Sequence, residues 1–257
     1  MVLSKDLKLH EKIYESKLQD DPNNIFKPRV KIFNLFEKKI KKISGKILDI
    51  GAGTGYASIW LALYNNYIEQ VVAVESSRIA AEKLIPKFSK YFKTEKKIKT
   101  ILNDFTKLDY NNEFDFIISF GSIHHSECLL KTMKSLNNYL KNEGYLIMIE
   151  PSMSDFTSNK EYISKYKTKE IFGGEEIFNF ERNDKFFRIC EYTTAAYYSS
   201  FDLKFKDKFM PKKTIIQHLK SLFKYNKKKL VNQPIPMIYF FQKNKNEYIP
   251  HKWKEII

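Results

Sequence analysis

Short runs of apolar residues recur along the first 150 residues, and segments with helical spacing separate them. Such runs, when turn residues bound them, are typical of strands buried on both faces of a sheet. Five strands are predicted: Ile47–Ile50, Val71–Glu75, Ile98–Leu102, Phe114–Phe120 and Tyr145–Ile149. Because helices alternate with these strands and crossovers are right-handed, the pattern predicts an α/β fold with a doubly wound, mostly parallel sheet.

Apolar positions at helical spacing fill the segments between the strands. Three helices are predicted there: Ala57–Leu63, Arg78–Phe92 and Cys128–Leu140. Pro86 should kink or divide the second helix, because proline has no amide hydrogen to donate. Residues 5–43 predict one or two further helices, interrupted at Asp21–Asn24.

The last third of the chain has a less regular pattern. Ser152–Ile177 is polar, contains Gly173 and Gly174, and is expected to form an inserted loop or a small lid. Asp184–Ser200 has helical spacing. Two further strands are predicted at Phe201–Phe205 and Met237–Phe241, with a lysine-rich helix between them. The chain length suits one domain. Its expected parts are N-terminal cap helices (1–45), a core (46–151), a lid (152–200) and C-terminal strands with a helix (201–257).

The segment Lys46–Tyr56 reads K-I-L-D-I-G-A-G-T-G-Y and joins the first strand to the first helix of the core. Glycines in such a turn allow a ligand to approach the main chain closely. The spacing is G-x-G-x-G, whereas the dinucleotide fingerprint is G-x-G-x-x-G. A carboxylate at Asp49 would repel a phosphate but would suit a cationic group, such as the amine and sulfonium of S-adenosylmethionine.

Asp49, Gly51, Gly53 and Gly55 resemble the first motif of class I S-adenosylmethionine-dependent methyltransferases, which is close to D-x-G-x-G-x-G. The resemblance covers about Lys46–Pro151. It implies a Rossmann-like sheet of seven strands that ends in an antiparallel hairpin, with an N-terminal segment capping the cofactor pocket. Family members often carry an acid and Pro-Gly-Gly before the fifth strand, and this chain departs from that pattern with Lys-Asn-Glu-Gly at 141–144.

The resemblance also implies a set of residues that bind S-adenosyl-L-methionine and its product, S-adenosyl-L-homocysteine. Glu75 would accept hydrogen bonds from the ribose hydroxyls, although a surface acid that caps a helix is the alternative. Asp104 would bind the adenine amino group, with a simple loop acid as the alternative, and Phe105 would supply a backbone amide. The full expected set is Asp49, Gly51, Ala52, Gly53, Gly55, Glu75, Ser76, Asp104, Phe105, Ser119 and Phe120.

The acceptor side of the cleft should lie after the fourth strand, at Gly121–His125. Amino-methylating nucleic-acid enzymes usually carry Asp or Asn, Pro-Pro and an aromatic residue here, and their absence disfavours base methylation. A double histidine is common in the small-molecule branch of the family, so His124 or His125 is a candidate general base, with packing as the alternative.

Further acceptor-side candidates are Glu150, Arg182, Arg188, Glu191 and Tyr192. Glu150 ends the fifth strand and should face the cleft. Arg188 lies three and four residues before Glu191 and Tyr192, which is also the spacing of a structural pair on one helix face.

The net charge of +15 raises the question of a nucleic-acid partner. Nearly all the positive charge is lysine spread along the chain, whereas base readout favours arginine, so nucleic acid is a disfavoured partner. No apolar run could span a membrane, the N-terminus lacks a signal-peptide pattern, and no metal-ligand spacing occurs. We therefore expect a cytoplasmic methyltransferase that acts on an oxygen or nitrogen of a small-molecule acceptor, such as a sugar or polysaccharide precursor or a secondary metabolite. An RNA or protein methyltransferase and a non-catalytic cofactor-binding protein are the alternatives, and the oligomeric state stays open.

Overall fold

A computed structural model describes residues 5–29, 32–34, 36, 40, 43–64, 66–169, 171–172, 175–179, 184–209 and 234–244. Seven strands form one sheet: β1 (Gly45–Ile50), β2 (Ile68–Glu75), β3 (Ile98–Leu102), β4 (Phe114–Phe120), β5 (Leu140–Ser152), β6 (Phe201–Lys208) and β7 (Ile235–Lys243). Their order across the sheet is β6-β7-β5-β4-β1-β2-β3. The five core strands are parallel, and β7 is antiparallel to both β5 and β6.

The strands in the centre of the sheet are apolar because both of their faces are covered. Ile47, Leu48 and Ile50 of β1 are fully buried, as are Val71 and Val72 of β2. The buried side chains form one large cluster on each face of the sheet. The predicted α/β fold with a parallel core and a terminal antiparallel pair is confirmed.

Helices cover both faces of the sheet. Their bounds are α1 (Lys5–Lys17), α2 (Pro22–Phe26), α3 (Tyr56–Tyr64), α4 (Ile85–Tyr91), α5 (Leu129–Tyr139), α6 (Asn159–Thr168) and α7 (Ile189–Tyr197). Pro86 lies in the first turn of α4, and a wider π-helical turn, Ala80–Leu84, precedes it. The predicted helix is continuous from Arg78 to Tyr91, because the π-helical turn accommodates the amide hydrogen that Pro86 lacks, so the proline does not divide it.

Two segments of the last third differ from the sequence-based expectation. The predicted polar loop contains a helix, α6, because Ser158 and Glu161 form a reciprocal capping box at its start. The predicted helix from Asp184 begins only at Ile189. Its first two residues instead form a two-residue strand paired with Phe178–Asn179.

Several expected features lie outside the described residues. They are Arg182, Gly173, Gly174 and the lysine-rich helix between β6 and β7. Among the residues that are described, no helix is long and apolar enough to cross a membrane.

Candidate functional site

The loop from β1 to α3 turns at the carboxyl edge of the sheet, where α/β proteins bind ligands. Gly51 has φ of +63°, and a Cβ there would lie 2.8 Å from Ser122 Oγ and nearer still to Ser122 Cβ. Gly53 has φ of +58°, and the Tyr14 hydroxyl lies 3.3 Å from the position of its Cβ. The positive φ favours glycine at both positions, and at Gly51 the contact with Ser122 also excludes a side chain.

Asp49 lies beneath this loop, near the end of β1. Its side chain is 1% exposed, and Ser58 Oγ of α3 donates a hydrogen bond of 2.6 Å to Asp49 Oδ2. Burial raises the pKa of Asp49 to about 7, although the hydrogen bonds from Ser58 lower it and the nearby Glu75 charge raises it further. A carboxyl group of this kind gains its negative charge near neutral pH, which suits a cationic ligand.

Glu75 connects the glycine loop to the turn that follows β2. Its Oε2 accepts a hydrogen bond of 2.8 Å from Gly53 N. Its Oε1 accepts hydrogen bonds of 2.9 Å from the amides of Ser76 and Ser77. The side chain is 6% exposed. Glu75 therefore lies at the end of β2, where the resemblance implies the ribose site.

Asp104 follows β3 and closes a short turn. Its Oδ1 accepts hydrogen bonds from the amide and the hydroxyl of Thr106, at 2.9 and 2.7 Å, and Lys107 Nζ lies 3.3 Å from Oδ2. Burial would raise the pKa of Asp104, but the hydrogen bonds from Thr106 and the charge of Lys107 hold it below its ordinary value. Phe105 packs against the cluster on one face of the sheet.

Glu150 organises the loop that follows β4. Its Oε1 accepts hydrogen bonds from Ser119 Oγ at 2.7 Å, Ser122 N at 3.1 Å and Ile123 N at 3.0 Å. Its Oε2 lies 2.9 Å from His124 Nδ1. Burial would raise the pKa of Glu150, but the hydrogen bond and charge of His124, with the hydrogen bonds from Ile123 and Ser119, hold it below its ordinary value. The carboxylate is fully buried and supports the loop, while its expected contact with the acceptor stays a prediction.

Three histidine rings lie in a row beyond Glu150. The His124 and His125 ring centroids are 4.0 Å apart, and His125 and His10 are 5.8 Å apart. Phe186 meets the His124 ring edge to face at 5.0 Å. His124 is 2% exposed, whereas His125 is only partly buried. Helix α1 thus brings a third imidazole, His10, to the pair that the sequence analysis selected.

Three more expected cofactor residues have contacts in the interior. Ser119 is fully buried, and its Oγ lies 2.8 Å from Ser122 Oγ. Phe120 packs against the aromatic rings of Phe33 and Phe36 from the N-terminal region. Ala52 N donates to Val74 O at 3.0 Å, which fixes the glycine loop against β2.

The described acceptor-side candidates on α7 lie in structural contacts. Glu191 accepts hydrogen bonds of 2.7 Å from both Arg188 N and Lys185 Nζ. Arg188 Nε donates to Thr157 O at 2.6 Å, which ties the start of α7 to the segment before α6. Tyr192 is fully buried, and its ring packs against Phe187. These contacts match the structural pair that the helical spacing allowed.

Sequence reasoning missed four residues that build this region: Glu11, Tyr14, Ser58 and Ser122. Ser122 Oγ donates to Ile50 O at 2.7 Å, so it links the end of β1 to the histidine loop. Glu11 and Tyr14 reach the site from α1, about 40 to 65 residues away in the chain, and no local pattern signals such contacts. Ser58 is a polar residue in the first turn of the apolar helix that follows the glycine loop, and this position was the one available signal.

The residues present fit S-adenosylmethionine. Apart from the Tyr14 hydroxyl, the space over Gly53 is open within 4 Å, and two carboxylates lie at the ends of neighbouring strands. The Thr54 hydroxyl of the glycine loop is buried and has no hydrogen-bond partner in the described part of the chain. Buried polar atoms normally have a hydrogen-bond partner, so a ligand bound at the loop would supply one for the Thr54 hydroxyl. No group of three or more described His, Cys, Asp or Glu residues could hold a metal ion.

Comparisons with known proteins agree with this fit. A family model described as a methyltransferase domain matches residues 22–199. A protein of Galdieria sulphuraria assigned as a sarcosine dimethylglycine methyltransferase has a similar structure, with a TM-score of 0.61 and 13% identity over 95% of this chain and 92% of that one. The geranyl diphosphate C-methyltransferase of Streptomyces coelicolor A3(2), solved with Mg²⁺, geranyl diphosphate and S-adenosyl-L-homocysteine, has a TM-score of 0.63 and 10% identity over 84% of this chain and 79% of that one.

One curated relative is far longer than this chain. The highly reducing polyketide synthase GPY1 of Gibberella fujikuroi is 29% identical over 119 residues, which are 44% of this chain and 5% of that protein. The similarity to the solved structures shows a shared fold alone, because their identity to this chain is low, whereas the family model matches more than half of the chain. With the motif at Asp49–Gly55 in place at the carboxyl edge of the sheet, this chain belongs to the family of S-adenosylmethionine-dependent methyltransferases.

Proposed function

We propose that this methyltransferase acts on an oxygen or nitrogen of a small-molecule acceptor, with His124 as the general base. The observation that carries the proposal is the buried pair of His124 and Glu150, whose Nδ1 and Oε2 atoms are 2.9 Å apart. A general base is needed only when the acceptor must lose a proton, as a hydroxyl does during attack and an ammonium group does before it.

The pair defines the state of the imidazole. A carboxylate beside Nδ1 favours the tautomer with the proton on Nδ1, so Nε2 keeps its lone pair and can accept a proton. The carboxylate also stabilises the imidazolium that forms after proton transfer. Ser119, Ser122 and Ile123 hold Glu150 in place, so the imidazole has one fixed orientation.

The cofactor supplies an activated methyl group, and the chain has to align the acceptor and exclude water. Asp49, Glu75 and Asp104 are the proposed contacts on the cofactor side, and the amide of Phe105 is a fourth. The histidine loop lies next to the glycine loop, because Ser122 contacts both Ile50 and the position over Gly51. Proton acceptance by His124 would therefore occur beside the methyl-donor end of the cleft.

The names of the similar proteins support a small acceptor. One is named for sarcosine and dimethylglycine, and another for geranyl diphosphate. The curated relative is a polyketide synthase. A biosynthetic acceptor, such as a sugar precursor or a secondary metabolite, fits these names. The region from α6 to α7, which is tied together by Arg188, would form the acceptor side of the cleft.

The experiment uses S-adenosylmethionine labelled in its methyl group, and it follows where the label goes. The protein is incubated separately with a panel of hydroxylated and amino small molecules, with total RNA and with unfolded protein. We expect label only in a small-molecule product, and the proton and carbon shifts of that product should show the methyl on oxygen or nitrogen. Label in RNA or protein, or a methyl on carbon, would contradict the proposal.

Variants then test the base with the acceptor found in this way. His124→Ala should lower turnover by about 10²–10⁴-fold and leave the affinity for S-adenosyl-L-homocysteine close to that of the wild type. His125→Ala is the matched comparison, because its ring lies 4.0 Å from that of His124 and the pairing of Nδ1 with Glu150 is the feature that singles out His124. Near-normal turnover of a folded His124→Ala variant would exclude histidine catalysis at this position.

A further inference from the structure

Helix α1 crosses the carboxyl edge of the sheet and contacts three parts of the site. Glu11 reaches the turn after β2, Tyr14 lies over Gly53, and His10 packs against His125. These three residues are on one face of α1, because spacings of three and four bring side chains together on a helix. The two ends of the predicted cleft are thus spanned by a single helix face.

Glu11 makes the charged contacts of this face. Its Oε2 accepts a hydrogen bond of 2.9 Å from Ser77 Oγ and one of 3.1 Å from Ile79 N. Its Oε1 accepts a hydrogen bond of 2.7 Å from Arg78 N. A carboxylate that accepts several amide hydrogen bonds at the start of a helical segment is held more firmly than a neutral acceptor, because such bonds are charge-assisted.

Ser77 connects Glu11 to the cofactor side of the site. Its hydroxyl donates to Glu11, while its amide donates to Glu75 Oε1 at 2.9 Å. Glu75 in turn accepts from Gly53 N, over which Tyr14 lies. A continuous series of hydrogen bonds therefore links α1 to the glycine loop, through Glu11, Ser77, Glu75 and Gly53.

We propose that Glu11 is a positioning residue for cofactor binding: it fastens α1 across the cleft and thereby holds Tyr14 against the glycine loop. Release of the cofactor then requires the Glu11 hydrogen bonds to break. The proposal rests on the cofactor assignment and is independent of the acceptor and of His124. Glu11 touches no cofactor atom in this scheme, since it acts through Ser77 and through the placement of α1.

The test measures the rate at which S-adenosyl-L-homocysteine dissociates, by stopped-flow displacement with excess sinefungin. Glu11→Gln should release the ligand at least about fivefold faster, while the binding stoichiometry stays close to wild type. Glu15→Gln is the matched control, because Glu15 is on the same helix one turn later and is exposed. Its dissociation rate should equal that of the wild type.

A role in folding alone would not give this result. Loss of folded protein would lower the stoichiometry and the thermal midpoint without changing the dissociation rate of the molecules that still bind. Should Glu11→Gln fail to fold, Ser77→Ala removes one of the three donors and should accelerate dissociation by a smaller factor. An unchanged rate in whichever variant folds would overturn the proposal.

A double variant tests the link to Tyr14. Tyr14→Phe removes only the hydroxyl over Gly53, and Glu11→Gln/Tyr14→Phe should release the ligand no faster than the more affected single variant, because both act through the same helix position. Independent, multiplicative effects would overturn the proposed linkage. If the wild-type protein bound no S-adenosyl-L-homocysteine at all, the cofactor assignment itself would fall, which is a different outcome from unchanged kinetics.

Discussion

Gly51 and Ser122 lie in van der Waals contact where the glycine loop meets the histidine loop. A Cβ on Gly51 would lie 2.8 Å from Ser122 Oγ, whose hydrogen bond to Ile50 O fixes its place. The first motif and the loop after β4 are therefore mutually constrained. A change in one loop is expected to displace the other.

Gly51→Ala should destabilise the protein by about 2–4 kcal/mol, because it combines backbone strain at positive φ with overpacking against Ser122. Gly121→Ala is the matched control. Gly121 has φ of +73°, but the nearest atom to its Cβ position is His124 Cε1 at 3.9 Å. The control should show the strain alone, about 1–2 kcal/mol. Urea unfolding measures both, and equal losses would show that the contact with Ser122 costs nothing.

Glu150→Gln should lower the free energy of unfolding at pH 7 by about 1–3 kcal/mol, because a buried set of donors loses its charged acceptor. The depressed pKa of Glu150 gives this contribution a pH dependence. The stabilisation is present above the ordinary glutamate pKa and is lost as the pH falls through the lower pKa of the folded state. The difference between wild type and variant should therefore shrink in acid. A difference that does not vary with pH would show that the charge is unimportant, and Glu69→Gln, an exposed site on β2, should have little effect.

Asp49 should give the opposite pH dependence in the ligand-free protein. Its folded-state pKa of about 7 is above the ordinary aspartate value of 3.8, so the folded state keeps a proton that the unfolded state has released. The free energy of unfolding should then fall as the pH rises from about 4 to about 7, by at most about 4 kcal/mol. Asp49→Asn keeps an acceptor for Ser58 and should remove this slope. Unfolding curves at several pH values check it, and an unchanged slope would assign the effect to other groups.

Cofactor binding should release a proton from Asp49 at pH 6 to 7. The ionised carboxylate is favoured beside the cationic ligand, so binding of S-adenosylmethionine lowers the pKa of Asp49. Calorimetry in two buffers with different enthalpies of ionisation measures the number of protons released. Asp49→Asn should reduce that number, whereas equal proton release by variant and wild type would remove Asp49 from the linkage.

Glu75→Gln should weaken the binding of S-adenosyl-L-homocysteine at least tenfold. Hydrogen bonds from ribose hydroxyls to a charged acceptor are worth about 1.5–3 kcal/mol each. The neutral glutamine side chain is also a weaker acceptor for the backbone N–H groups of Gly53 and Ser77. Glu82→Gln is the control, since Glu82 is exposed on the segment that follows. Unchanged affinity in a folded Glu75→Gln protein would place the ribose elsewhere.

The local sequence determined the order of the strands along the chain and the position of the glycine turn. Apolar runs such as Val71–Glu75 predict strands because both faces of a parallel sheet are buried. The motif at Asp49–Gly55 was sufficient to indicate the cofactor, since its conformational demands and its acid are local properties.

Weaker local signals gave the wrong boundaries in the last third of the chain. The capping box at Ser158 and Glu161 is a local signal for α6, and the polar composition of the segment concealed it. The late start of α7 depends on pairing between Asp184–Lys185 and Phe178–Asn179, which is a contact between segments. Periodicity alone carries no information about such pairing.

Only the tertiary structure decided which polar groups meet. The sequence pattern places Glu150 at the end of a strand, 26 positions after His124. The pairing of β4 with β5 brings the two side chains together. Glu11 contacts Ser77 across 66 residues in the same way. A carboxylate has the same identity in the sequence whether it faces solvent, a ligand or a buried histidine, because its role is set by the donors that folding brings within hydrogen-bond distance.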